Sequence, residues 1–156
     1  MKLVIQRVLK AKVTKKENNN VVGEINKGLF TGNTGQALLI LLGIKKGDTK
    51  KQVDELVSKL IKLRIMSDQN SKMNLSVIDT KSEVLVVSQF TLYANTKDGN
   101  RPSFIEAEEP KKAKVLYEYM ITKLKETGLN IQTGSFGDYM EINAVLDGPV
   151  TIVLEN

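Results

Sequence analysis

Apolar and polar residues take turns along the first part of the chain. From Met1 to Val13 the inward positions read as Leu3, Ile5, Val8 or Leu9, and Val13, a period of two that predicts a strand kinked near Val8. Asn18, Asn19 and Asn20 mark a turn, and Val21 to Ile25 reads as a second short strand. Gly28 to Gly35 reads as a flexible tip that leads into Ala37 to Leu42, an unbroken apolar run expected to be a buried strand.

The period then changes. Val53, Leu56, Val57, Leu60 and Ile61 recur at helical spacing behind Asp48 and Thr49, which are both capping residues, so an amphipathic helix is predicted. Asp68 to Asn74 is a polar turn. Glu83 to Leu92 reads as a strand, and its opening run Val84-Leu85-Val86-Val87 does not alternate, which predicts cover on both faces and a central place in the sheet. Asn95 to Pro110 contains Gly99, Asn100 and Pro102 and reads as a loop. Pro110 suits the first turn of a second helix, with Ala113, Leu116, Tyr117, Met120, Ile121 and Leu124 on one face and Gly128 at its end. Beyond Gly134 to Gly137 come a strand from Tyr139 to Val145, a turn at Asp147-Gly148, and a final strand from Val150 to Leu154. Two helices against seven or eight strands, with no repeat or linker, make one α+β domain over residues 1–156.

Composition removes whole classes of chemistry. The 156 residues include no His, Cys or Trp. That excludes Ser-His-Asp and Cys-His catalysis, thiolate metal sites and a disulfide framework. The run Ala37 to Leu42 is far short of the roughly 20 apolar residues that span a bilayer, so no membrane partner and a cytoplasmic location are expected. Lys+Arg 23 against Asp+Glu 18 gives a net charge of +5. The lysines, such as Lys10, Lys12, Lys15, Lys111, Lys112 and Lys114, read either as a solvated surface or as a surface that neutralises nucleic-acid phosphates.

Four segments carry candidate chemistry. In Ser88-Gln89-Phe90-Thr91-Leu92 a buried apolar strand turns polar while keeping strand propensity, and burying hydroxyls and an amide is costly unless each finds a partner. Alternation places Gln89 and Thr91 on one face and Ser88 and Phe90 on the other, unless a bulge intervenes; an ordinary strand end is the other reading. Asp147-Gly148-Pro149 combines a residue that permits close backbone approach with an X-Pro bond, and equally resembles a tight turn. Gly99 to Phe104 offers a basic side chain, an amide and an aromatic ring. Phe136 and Tyr139-Met140-Glu141 line a pocket or belong to plain core. The carboxylates show no metal-ligand or acid/base spacing, and no glycine-rich phosphate loop is present, so no metal or cofactor is expected.

Taken together, Ile5-Gln6-Arg7-Val8, Lys72-Met73-Asn74-Leu75, Val87 to Leu92, Asn100 to Phe104, Gln132-Thr133-Gly134 and Asp147 to Thr151 stand in the order of one family. The chain resembles the D-aminoacyl-tRNA deacylases, also called D-tyrosyl-tRNA deacylases, over nearly its whole length. The resemblance implies antiparallel-rich, β-barrel-like subunits flanked by the two helices and paired as a homodimer with active sites at the interface. It implies catalytic roles for Ser88, Gln89, Phe90 and Thr91, and a cis Gly148–Pro149 that reaches into the partner's site. It also implies that Arg7 holds that loop, and that Ala113, Phe136 and Met140 form an adenine pocket.

The implied reaction is hydrolysis of the ester joining a D-amino acid to the terminal adenosine of tRNA, with RNA and not DNA as partner and no cofactor. A proline carbonyl facing the α-carbon rejects an L side chain by contact, and glycine, lacking a side chain, passes such a filter. Two routes stay open: Thr91 as nucleophile, or the vicinal ribose hydroxyl activating water while backbone N–H groups near Phe90 and Thr91 steady the oxyanion. A relative that edits an L-amino acid and a non-catalytic tRNA-binding barrel are the alternatives. The chain departs from the family pattern at Leu146, commonly Asn, and in an apparent insertion at Thr31 to Ala37.

Overall fold

A computed structural model describes residues 1–25 and 35–156 of the chain. The predicted Gly28 to Gly35 tip and most of the Thr31 to Ala37 insertion lie outside the described residues. In chain order the strands are β1 (Lys2–Lys15), β2 (Val21–Ile25), β3 (Ala37–Gly43), β4 (Met66–Ser67), β5 (Met73–Leu75), β6 (Val84–Ser88), β7 (Ile131–Thr133) and β8 (Met140–Glu155). The helices are α1 (Lys50–Leu60), α2 (Val77–Thr80) and α3 (Pro110–Lys125), with a 3₁₀ turn over Phe90–Tyr93.

β1 is the spine of the main sheet. Its first half pairs antiparallel with β3 (Leu3 opposite Leu42) and its second half with β2 (Ala11 opposite Ile25), while β8 runs antiparallel along its other edge. β6 is parallel to β3 and β7 is parallel to β6, so β6 lies between two strands, as its unbroken apolar run predicts. Val8 pairs with Leu146 and Lys10 with Val145. Leu9 is thus the extra residue of a bulge, which inverts the alternation there: Leu3, Ile5, Val8 and Val13 are buried, whereas Leu9 points outward.

The sheet curls into a near-barrel and buries apolar residues on both faces. On one face Leu3, Ile5, Leu38, Ile40, Leu42, Val84 and Val86 pack against α1 and α3. Every predicted apolar position of α3 is buried, as are Val53, Leu56, Val57 and Leu60 of α1. Inside the curl, Val8, Ala11, Val13, Ile25, Leu39, Leu85 and Val87 form a second cluster. Closure depends on Gly23: a Cβ there would stand 2.4 Å from the Thr133 carbonyl oxygen of β7. Thr49 caps α1 in a reciprocal box with Gln52, and Asp48 instead pairs with the N-terminal amine of Met1 at 3.0 Å.

Two predicted strands are corrected. The strand expected to reach Leu92 leaves the sheet after Ser88, because Gln89 makes its backbone bond to Leu42 O at 2.8 Å and the chain then winds into the 3₁₀ turn. The turn expected at Asp147-Gly148 is not a hairpin. β8 continues through it in one direction, and residues 147–150 bulge outward opposite Arg7, between the pairs Val8/Leu146 and Gln6/Thr151. The Gly148–Pro149 peptide is cis, as the family resemblance implies.

Candidate active site

The C-terminal end of β6 opens into a cleft of about 720 Å³. Ser88, Gln89 and Phe90 form one wall; Ala113, Phe136 and Met140 line it as well. The wall is held from behind: a Cβ on Gly43 would stand 3.0 Å from Leu92 Cβ and 3.3 Å from Gln89 O, so glycine there lets the 3₁₀ turn lie on β3. Its alternation is therefore helical rather than extended. Gln89 and Thr91 are joined by a bond from Gln89 Nε2 to Thr91 Oγ1, and the exposed Thr91 lies outside the cleft lining. The first N–H groups of the turn, on Phe90 and Thr91, make no backbone bond among the described residues, as the opening residues of a helical turn leave them.

The loop after the turn folds back through a bridge between Asn95 and Ser103. This brings Phe104 edge-on to Phe90, ring centroids 5.1 Å apart at 69°. Phe104 is the lining residue that the sequence showed only weakly. Phe136 rests on Tyr117 at 5.6 Å, and the Tyr117 hydroxyl donates to Val86 O at 2.9 Å, which ties the far wall to the central strand. Burial pushes that phenol up to about 12. Met140 packs where a Cβ on Gly134 would stand 3.1 Å from its sulfur.

Glu108, Glu109 and Asp138 line the rim, and the carboxylates of Glu108 and Asp138 are engaged. Glu108 accepts the Gly47 and Glu109 backbone N–H groups, and these hold its pKa below the ordinary value. Asp138 is likewise lowered, first by the Ser135 hydroxyl that donates to it and then by Lys15 at 2.9 Å. Among the described residues no group of three or more carboxylates is placed to hold a metal ion.

Arg7, Gly148 and Pro149 do not line this cleft. Arg7 is 7% exposed; Nη1 donates to Ile65 O at 2.8 Å, and Nε stands 2.7 Å from Asp147 Oδ2, off the line of its N–H. A Cβ on Gly148 would stand 3.4 Å from Arg7 Nη2. Arg7 thus stands beside this loop, and its contact there is with Asp147. Gln36 and Ser67 also reach this cluster, and the sequence reading missed both, since they lie 111 and 80 positions from Asp147 in the chain.

Fold and cleft together define a small α+β protein on one curled sheet, with hydroxyl, amide and backbone N–H groups gathered at the end of its central strand. The family model for D-Tyr-tRNA(Tyr) deacylase matches residues 4–155. The D-aminoacyl-tRNA deacylase of Aquifex aeolicus is 49% identical over 156 residues, covering 100% of this chain and 98% of that protein. The one from Thermosipho melanesiensis is 45% identical, covering 100% and 97%. A solved structure of a c-Myc DNA unwinding element binding protein superposes with a TM-score of 0.87 at 37% identity, covering 100% of this chain and 99% of that one. A probable eukaryotic D-amino acid tRNA deacylase, 13% identical with a TM-score of 0.81, covers 98% and 97% and shares the fold. The chain belongs to the D-Tyr-tRNA(Tyr) deacylase family.

Proposed function

We propose that this protein hydrolyses the ester between a D-amino acid and the terminal adenosine of tRNA, releasing D-amino acid and reusable tRNA and sparing L-aminoacyl-tRNA. The observation that carries the reading is that Ser88 to Phe90, in a chain matched to the deacylase family over residues 4–155, form the wall of a cleft where polar groups meet an apolar floor. Ala113, Phe136 and Met140 receive the adenine, and the ester carbonyl lies against the Phe90 and Thr91 N–H groups, which stabilise the oxyanion as it forms. Water attacks the carbonyl carbon, the carbon–oxygen bond to the ribose breaks, and the leaving ribose oxygen takes a proton. The neighbouring ribose hydroxyl, held beside the reacting carbon, relays that proton.

Thr91 suits this route better than the role of nucleophile. Its hydroxyl accepts from the Gln89 amide, which draws electron density away, and among the described residues it has no carboxylate or amine partner. The Gly148–Pro149 loop is the stereochemical filter of a partner's site in a homodimer. Three features support pairing. β8 offers an edge with no strand partner among the described residues, Val145, Leu146 and Val153 are exposed, and Gln6 Oε1 is buried without a hydrogen bond. Glycyl-tRNA, with no side chain to reject, is also cleaved. The protein works in the cytoplasm, where aminoacyl-tRNA is used.

The test is cleavage of D-tyrosyl-tRNA against L-tyrosyl-tRNA, with Thr91→Ala alongside. D-only cleavage that survives Thr91→Ala is expected, whereas removing a true nucleophile costs on the order of 10⁴-fold or more. Cleavage of an L ester would favour an editing enzyme for L-amino acids. Cleavage of neither would leave a nucleic-acid-binding protein, for which the name of the 37% identical relative suggests DNA as well as RNA.

A further inference from the structure

Asp147, the residue that launches the Gly148–Pro149 bulge, is gripped from two separate parts of the chain, and a third braces one of them. Arg7 of β1 stands 2.7 Å from its Oδ2. Gln36, immediately before β3, donates from Nε2 to the same oxygen at 2.6 Å. Gln36 is itself fixed to β4: Nε2 also lies 3.0 Å from Ser67 Oγ, and the Ser67 backbone N–H donates to Gln36 Oε1 at 2.8 Å. Arg7 Nη1 closes the ring with a longer contact to Ser67 Oγ at 3.4 Å. Gln36 is 7% exposed, and the Asp147 side chain is 25% exposed.

A primary amide is well suited to this place. It supplies two N–H donors and an acceptor in one plane, so it can bind a carboxylate, a hydroxyl and a backbone N–H together. A buried carboxylate paired with one guanidinium still has lone pairs to satisfy, and the Gln36 donor meets that need without adding charge. Between Asp147 and Thr151, where pairing with β1 resumes, only Gly148, Pro149 and Val150 are left to move. Fixing Asp147 therefore fixes where the loop points.

We infer that Gln36 and Ser67 are positioning residues that set the direction of the Gly148–Pro149 loop through Asp147, and so set its discrimination between D- and L-aminoacyl esters. The inference rests on the stereochemical role proposed above for that loop. A filter that works by contact fails when its position varies by a fraction of an ångström, so loss of the Gln36 anchor relaxes discrimination more than it slows hydrolysis.

The test is Gln36→Met, which keeps the length of the side chain and removes its polar atoms, and Ser67→Ala as the milder lesion, each measured on D- and L-tyrosyl-tRNA in the full-length protein. The expected result for Gln36→Met is a roughly tenfold fall in the D-to-L ratio of kcat/KM, mostly through a gain in L cleavage, with faster amide hydrogen exchange at Gly148. Ser67→Ala gives a smaller change in the same sense. Because Gln36 acts through Asp147, adding Gln36→Met to Asp147→Asn lowers the ratio no further. An unchanged ratio and unchanged Gly148 exchange in a folded Gln36→Met protein would overturn the inference, as would additive losses in the double variant. If Gln36→Met does not fold, Ser67→Ala alone decides between the two results. Failure of the unaltered protein to cleave D-tyrosyl-tRNA would refute the proposed function, and Gly148 exchange in the variants would still report whether Gln36 holds the loop.

Discussion

Gly148 is the position where the smallest change should separate stability from selectivity. Its φ is +114°, a conformation that L side chains rarely adopt, and an added Cβ would stand 2.8 Å from Val150 Cγ2 and 3.0 Å from Val150 N. The methyl of Val150 can rotate away, but the backbone nitrogen cannot. Holding an alanine in such a region costs of order 1–3 kcal/mol. The loop is exposed and free to shift between its fixed ends at Asp147 and Thr151, so part of that strain is relieved by displacement. The expected loss for Gly148→Ala is about 2 kcal/mol, roughly a 4–8 °C fall in Tm for a chain of this size. On the role proposed for this loop, displacement is the costlier outcome for function, because a loop that has moved would no longer meet the substrate. D-tyrosyl-tRNA cleavage should fall at least about tenfold, equivalent to about 1.4 kcal/mol in the barrier.

The comparison that makes this decisive is Gly128→Ala. Gly128 also has positive φ, +82°, but a Cβ there meets nothing within 4 Å, and it ends α3 away from the cleft and the loop. It should cost about 1 kcal/mol and leave both substrates' rates alone. Calorimetry and the two-substrate assay measure both variants. A Gly148→Ala protein with unaltered Tm and unaltered rates would refute the reasoning, and so would a Gly128→Ala protein that loses cleavage in the same proportion as stability.

Three other outcomes follow from the geometry. Gly23→Ala places a methyl against the Thr133 carbonyl and 2.8 Å from Leu85 Cδ1, so it should destabilise by about 3 kcal/mol, read as a lower urea midpoint, because β2 must separate from β7. The Tyr117 and Tyr93 phenols are raised mainly by burial, the former to about 12, so the unfolded chain loses these protons first. The stability they contribute is whole below pH 10 and is lost as pH climbs through 12, by about 3 kcal/mol for Tyr117, and tyrosinate absorbance should then rise together with loss of structure by circular dichroism. Phe104→Ala removes the ring that Phe90 meets edge-on and should raise KM for D-tyrosyl-tRNA several-fold with little change in kcat; a lower kcat at constant KM would contradict a wall role.

Elements defined by local period were legible in the sequence. The six apolar positions of α3 are its six buried residues, and the unbroken run from Val84 marked β6 as central because both its faces pack into apolar clusters, Val84 and Val86 on one side and Leu85 and Val87 on the other. Features decided by distant pairing were not. Asp147-Gly148-Pro149 has the composition of a turn, yet β1 supplies partners on both sides of it, and a ladder of twelve paired positions with β1 overrides the local signal. The end of β6 misled in the opposite direction: Gln89, Phe90 and Thr91 suit a strand, but the sheet offers Gln89 only the Leu42 carbonyl, and Gly43 leaves room for the chain to wind over it. The Gln36 anchor gave no local signal, because a lone amide before an apolar strand reads as a loop residue until Asp147 is beside it.

The cleft and the loop are built on different supports, and this bears on what each can do. The cleft wall hangs from β6, whose Leu85 and Val87 belong to the cluster inside the curl, and its far side leans on Tyr117 of α3. The Gly148–Pro149 loop is fixed by Arg7, Gln36 and Ser67 at the other end of β3, where Ala37 rather than Leu42 is the neighbouring strand residue. No hydrogen bond joins the two sets among the described residues. A lesion in one should therefore leave the geometry of the other intact within the chain, and in the proposed homodimer coupling between them would arise only where one subunit's loop meets the other's cleft. On the proposed function, rate belongs to the β6 turn and selectivity to the Asp147 ring. On that proposal, stereochemical exclusion and bond cleavage are thus assigned to separate parts of a protein that has no histidine or cysteine to combine them in one residue.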